Sequence, residues 1–125
     1  MKVVIVDDDP IYRFSFEKVL KLLNPDLDVC SFEDGELALT FFKQEYQATE
    51  EPTMVLLDLN MPVLDGWGFL AAFEALEIDK SKVAIHIVSS SANPADLDRA
   101  EESSAVKSYQ IKPLNKEAIG ALLKA

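Results

Sequence analysis

Short apolar runs alternate with helical stripes along the whole chain. Five runs have the length of a strand, at residues 3–6, 27–30, 54–57, 83–88 and in a segment that ends near residue 111. Between them, apolar residues recur at spacings of three and four, which indicates helices with one buried face. Continuous apolar runs are typical of parallel strands that are covered on both faces. The pattern therefore predicts an α/β fold in which five strands form a parallel sheet flanked by five helices.

Polar residues at the ends of these stripes predict where the helices begin and end. Asp9 and Asn93 each precede a proline, and a capping side chain followed by proline is a common helix start. Asn24, also followed by proline, is expected to end the first helix. Asp65 is predicted to be an N-cap or turn residue, and residues 47–52 are predicted to form a polar loop.

The length, charge and composition of the chain limit its possible domain organisation, partners and location. A chain of 125 residues fits one domain, so we expect a single domain over residues 1–125. Its net charge of −10 would repel phosphate backbones, so we expect no direct binding of nucleic acid. Cys30 is the only cysteine, which excludes an internal disulfide and suits a reducing cytoplasm. The apolar runs are too short for a signal peptide or a membrane span, so we expect a cytoplasmic protein without membrane contact.

Polar residues with chemical potential follow four of the five strands. Asp7 and Asp8 follow the first strand, Asp58 the third, Ser89 the fourth and Lys112 the fifth. Reactive groups of parallel sheets collect beyond the carboxyl ends of the strands. We therefore expect these five side chains to converge at one edge of the sheet.

This set of residue types suits the transfer of a phosphoryl group. Three close carboxylates repel each other unless a cation joins them, and Mg²⁺ prefers such oxygen ligands. A lysine and a hydroxyl can stabilise phosphoryl oxygens, and a carboxylate can act as the nucleophile. Zinc is a poor candidate because the chain has one cysteine and one histidine. That histidine, His86, lies within an apolar strand and is interpreted as structural.

Four segments together resemble the receiver domains of two-component response regulators, particularly the single-domain, chemotaxis-regulator-like members. They are residues 6–9, residues 57–62 with 65–66, residues 88–90 and residues 111–113. They occur in the order and spacing of that family, and the resemblance covers essentially the whole chain. It implies a flavodoxin-like receiver fold with the strand order 2-1-3-4-5.

The resemblance also implies a role for each acidic residue. Asp58 would be phosphorylated, as the phosphoacceptor. Asp8 and Asp58 would bind Mg²⁺ directly, together with the backbone carbonyl of Asn60. Asp7 would complete the metal site, largely through water.

The segments at residues 88–90 and 111–113, together with the aromatic residue at position 109, resemble the parts of the family that respond to phosphorylation. Ser89 and Lys112 would contact the phosphoryl oxygens, and the peptide bond before Pro113 is expected to be cis. Ser89 and Tyr109 would couple phosphorylation to an output face formed by the fourth helix, the fifth strand and the fifth helix.

By the same resemblance, the phosphoryl donor would be a sensor histidine kinase or a histidine phosphotransfer protein, and a further protein would read the signal. The chain would be a stand-alone response regulator, a monomer or weak dimer, and no enzyme beyond its own phosphorylation and dephosphorylation. Two alternatives stay open. A Mg²⁺-dependent phosphatase with an aspartyl nucleophile usually carries a second acid where this chain has Asn60. A pseudo-receiver would be a binding module that is not phosphorylated.

Overall fold

The computed structural model describes residues 1–46 and 51–124, so residues 47–50 of the predicted polar loop lie outside the described residues. Within the described residues the strands are β1 (Lys2–Val6), β2 (Asp28–Phe32), β3 (Thr53–Leu57), β4 (Val83–Ser89) and β5 (Val106–Ile111). The helices are α1 (Pro10–Leu23), α2 (Gly35–Gln44), α3 (Gly66–Glu74), α4 (Pro94–Glu102) and α5 (Lys116–Lys124). All neighbouring strands are parallel, in the order β2-β1-β3-β4-β5, which confirms the predicted architecture.

The sheet divides the core into two layers. Val3 and Ile5 of β1 pack with buried residues of α1 and α5, whereas Val4 and Val6 pack with those of α2 and α3. This alternation follows from the two-residue period of a strand. Every residue of the central strand β3 is buried, so the residue that follows it starts from a fixed backbone position.

Capping residues fix the helix starts as predicted. The side chains of Asp9, Asn93 and Asp65 each accept a hydrogen bond from a backbone amide in the first turn of the next helix. Asn24 is the C-cap residue that directly follows α1. His86 is buried, with Nδ1 2.6 Å from Ser108 Oγ, which confirms its structural reading.

Some element boundaries differ from the predicted ones. β2 covers Asp28–Phe32 and not residues 27–30, because it is an edge strand whose half-exposed residues give no clean apolar run. Apolar spacing predicts Leu76 in the third helix and Leu114 in the fifth, but both residues lie outside α3 and α5. The same spacing predicts Leu37 on the buried face of the second helix. It lies in α2 but is 46% exposed, and Leu39 is buried in its place.

Gly66 allows α3 to begin directly against the end of β3. Its amide donates a 2.9 Å hydrogen bond to the carbonyl of Leu59. A Cβ atom at this position would lie 2.5 Å from the backbone oxygen of Asp58 and 2.8 Å from Cα of Leu59. Both obstacles are main-chain atoms, so a side chain at position 66 would have to displace the backbone that carries Asp58.

We expect Gly66→Ala to lower the free energy of unfolding by about 1–3 kcal/mol, the usual cost of overpacking. Gly120→Ala is the matched control, because a Cβ there meets only Leu23 Cδ1, at 3.9 Å. Since alanine is favoured over glycine inside a helix, the free energy of unfolding of the control should rise by up to about 1 kcal/mol. Urea denaturation of the two variants measures both changes. Equal effects at the two positions would contradict the close approach described at Gly66.

Candidate functional site

The carboxyl edge of the sheet brings the predicted acidic residues together. Asp7 and Asp8 directly follow β1, and Asp58 directly follows β3. One carboxylate oxygen of each lies within 4.8 Å of the other two. Asp7 and Asp58 are buried, whereas Asp8 is exposed to solvent. The arrangement is a cluster of hard oxygen donors with one open side, which suits a divalent cation that keeps some of its water.

Lys112 reaches this cluster from the end of β5. Its Nζ lies 2.7 Å from Oδ2 of Asp7 and 3.7 Å from Oδ2 of Asp58. The same ammonium group lies 4.1 Å from the centre of the Tyr12 ring, a cation–π contact. The side chain is only 9% exposed, and the peptide bond from Lys112 to Pro113 is cis.

Asp7 is held in place from several sides. Its Oδ1 accepts a 2.9 Å hydrogen bond from the amide of Asp9, while Oδ2 accepts the bond from Lys112. Its backbone carbonyl accepts a 2.7 Å bond from the guanidinium group of Arg13. Because both carboxylate oxygens already have partners, Asp7 fits an indirect role at a cation better than the solvent-exposed Asp8 does.

The environment of Asp58 raises its pKa to about 6. Burial is the largest cause, followed by the negative charge of Asp7; Asp8 adds to the rise. Lys112 and a hydrogen bond from the Asn60 backbone lower the pKa of Asp58, but they do not cancel the rise. Because the pKa is higher in the fold than in the unfolded chain, ionisation of this carboxyl above pH 6 destabilises the fold. That destabilisation is relieved as the pH falls toward 4.

Ser89, the last residue of β4, is fully buried, and its Oγ accepts a 3.1 Å hydrogen bond from the amide of Ser91. Tyr109 of β5 donates from its hydroxyl to the carbonyl of Ser91, over 2.7 Å. The two residues predicted as a switch are therefore connected through Ser91.

Sequence reasoning missed two residues of α1 that shape the site, Tyr12 and Arg13. Both lie in the first turns of a helix whose start was predicted from Asp9. The available signal was position alone: the helix that follows β1 begins at the carboxyl edge, so its first turns face the acidic cluster. Nothing in the sequence showed that one ring would lie against Lys112.

A family model described as the response regulator receiver domain matches residues 3–124. The chain belongs to this family. The transcriptional regulatory protein PrrA of Mycobacterium tuberculosis is 33% identical over 125 residues, covering 99% of this chain and 48% of that protein. The receiver domain thus spans about half the length of the curated relatives it matches most fully.

Solved structures agree in fold. A two-component response regulator from Cytophaga hutchinsonii has a TM-score of 0.85 and 29% identity, covering 98% of this chain and 93% of that one. A Mn²⁺-bound form of the response regulator Rcp1 has a TM-score of 0.76 and 25% identity, covering 98% and 88%. Among residues 1–46 and 51–124 of the receiver domain, no helix has the length and apolar character needed to cross a membrane.

We expect Mg²⁺ to raise the melting temperature of the receiver domain, because a cation relieves the repulsion among the clustered carboxylates. When the Mg²⁺ concentration is a hundred times Kd, binding raises the free energy of unfolding by about 2.7 kcal/mol. Asp8→Ala should lose most of this gain. Asp26→Ala removes the same charge from an exposed turn after α1, outside the cluster, and should keep it. Thermal melts with and without Mg²⁺ measure the difference, and equal responses would mean that the ion acts on diffuse surface charge.

Proposed function

We propose that residues 1–125 form a phosphoacceptor domain in which Asp58 takes up a phosphoryl group and passes the signal on through a change of shape. The observation that carries the proposal is the position of Asp58. Its buried carboxyl group lies at the carboxyl edge beside two further carboxylates and 3.7 Å from the ammonium group of Lys112. Membership of the receiver family supports the same reading.

The chemistry requires little of the protein beyond position and charge. The bond between phosphorus and the donor atom breaks, and its electron pair leaves with the donor. A new bond forms between phosphorus and a carboxylate oxygen of Asp58. An ionised carboxylate has no proton to lose, so no general base is needed. Lys112 would stabilise the charge on the transferred oxygens, and Ser89 would donate a hydrogen bond to one of them.

Mg²⁺ is the proposed cofactor. Asp8, Asp58 and the carbonyl of Asn60 would hold it, with Asp7 acting through water. The oxygen donors of the cluster support a hard cation, and the Mn²⁺-bound form of Rcp1 supports a divalent one. When bound, the cation would neutralise negative charge on the cluster and on the incoming phosphate.

The proposed partners are proteins. A sensor histidine kinase or a histidine phosphotransfer protein would supply the phosphoryl group in the cytoplasm, to a monomer or weak dimer. A downstream protein would bind the face formed by α4, β5 and α5. The hydrogen bond from Tyr109 to Ser91 supports this choice, because it joins β5 to the segment between β4 and α4. We propose no direct contact with nucleic acid and no turnover of external substrates.

Labelling with a small radioactive acyl phosphate and Mg²⁺ tests the proposal. We expect stable incorporation in the wild type and none in Asp58→Asn, because that change removes the nucleophile with little change of shape. Asp65→Asn is the matched control, since asparagine caps a helix as well as aspartate does; it should label normally. Mass spectrometry locates the phosphoryl group.

Each other outcome contradicts the proposal in a distinct way. Labelling of Asp58→Asn would refute the assignment of Asp58. Rapid release of phosphate without stable labelling would indicate a phosphatase, and no reaction at all would indicate a binding module.

A further inference from the structure

Ser91 is a junction of hydrogen bonds next to the proposed phosphoryl site. Its amide donates to Ser89 Oγ, and its carbonyl accepts from Tyr109. Its hydroxyl donates a 2.8 Å bond to Oδ2 of Asp96, in the first turn of α4. A shift of Ser91 would therefore change the surroundings of Ser89 directly.

Asp96 is also hydrogen-bonded to a residue of another helix. Its Oδ1 accepts a 3.3 Å hydrogen bond from the indole nitrogen of Trp67, near the start of α3. The guanidinium group of Arg99 lies 4.4 Å from the centre of the Trp67 ring and so covers it from the α4 side. Both carboxylate oxygens of Asp96 are thus bound by groups from outside its own helix.

An acidic residue in the first turn of a helix commonly interacts with the helix dipole and nothing else. Asp98 lies beyond the first turn of the same helix and is exposed, and no side-chain hydrogen bond or ion pair forms at it within the described part of the chain. Asp96 differs because its two oxygens connect Ser91 to Trp67. The difference between these two aspartates separates a general charge effect from a specific one.

We propose that Asp96 is a positioning residue for phosphoryl transfer: held by Trp67, it fixes Ser91 and thereby the hydroxyl group of Ser89. The inference rests on the proposed function, in which Ser89 donates a hydrogen bond to a phosphoryl oxygen. A serine hydroxyl has one hydrogen to donate and two lone pairs to accept. Ser91 occupies one lone pair of Ser89, and within the described residues the hydroxyl hydrogen has no acceptor, so it is left for the phosphate.

The rate of phosphoryl uptake from a small acyl phosphate, at fixed Mg²⁺, tests this role. Without Asp96, the Ser91 hydroxyl loses its acceptor and keeps only the 3.2 Å hydrogen bond from the Asn93 amide. Ser91 is then held less firmly, and so is the hydroxyl group of Ser89 that its amide contacts. We expect Asp96→Ala to slow uptake roughly three- to tenfold, the size typical of coupled contacts. Asp98→Ala removes an equal charge from the same helix and should label at the wild-type rate.

A double-mutant cycle distinguishes positioning from a general structural effect. If Asp96 acts through Ser89, Asp96→Ala should slow uptake no further once Ser89 is alanine. Multiplying effects in Ser89→Ala/Asp96→Ala would overturn the inference, as would a wild-type rate in Asp96→Ala. Absence of labelling in the wild type would instead refute the proposed function.

Trp67→Phe provides a second variant should Asp96→Ala fold poorly. Phenylalanine keeps an aromatic ring beneath Arg99 but removes the indole donor, so Asp96 loses one of its two fixed contacts. We expect slower uptake in this variant too, and again no further slowing in the Ser89→Ala background. A wild-type rate in Trp67→Phe, with Asp96→Ala unfolded, would also overturn the inference.

Discussion

The functional edge depends on the repulsion among three carboxylates and on how far Lys112 offsets it. Burial removes solvent from Asp7 and Asp58, so their charges interact more strongly than they would on the surface. Lys112 pairs closely with Asp7 and only at longer range with Asp58. Burial of Asp58 is the largest cause of its raised pKa, and the negative charge of Asp7 and Asp8 adds to the rise. The charge that Lys112 leaves uncompensated also accounts for the expected affinity for a divalent cation. It would also make the arrival of a further anion costly without that cation.

The rest of the fold makes such an arrangement tolerable. The fully buried strand β3 and the adjoining strand β1 fix the backbone from which the acids project, and Gly66 lets α3 begin without displacing that backbone. Asp7 is further fixed by Arg13 and by the amide of Asp9. The repulsion among the carboxylates is therefore opposed by the packing of both core layers and by contacts at the start of α1. These parts of the fold hold the acids in place and have no role in the proposed chemistry.

The sequence alone predicted the five strand–helix units and the edge at which Asp58 would lie, because buried parallel strands leave continuous apolar runs. The strand order came from family resemblance. The bounds of β2 were wrong because an edge strand is half-exposed and lacks that run. Contacts between elements could not be predicted for another reason: Trp67 and Asp96 are separated by 29 positions, and only the folded chain brings the start of α3 close to the first turn of α4. The spacing of apolar residues shows which face of a helix is buried, but it does not show which polar side chains of different helices contact each other.

Burial and the neighbouring carboxylates make the charged state of Asp58 unfavourable, and a bound cation is expected to relieve this. An NMR titration of the Asp58 side-chain carboxyl carbon, on metal-free protein and then with Mg²⁺, tests it most directly. The expected midpoint without metal is about 6, against an ordinary value of 3.8, and Mg²⁺ should move it clearly downward. A midpoint near the ordinary value that does not respond to Mg²⁺ would contradict the account.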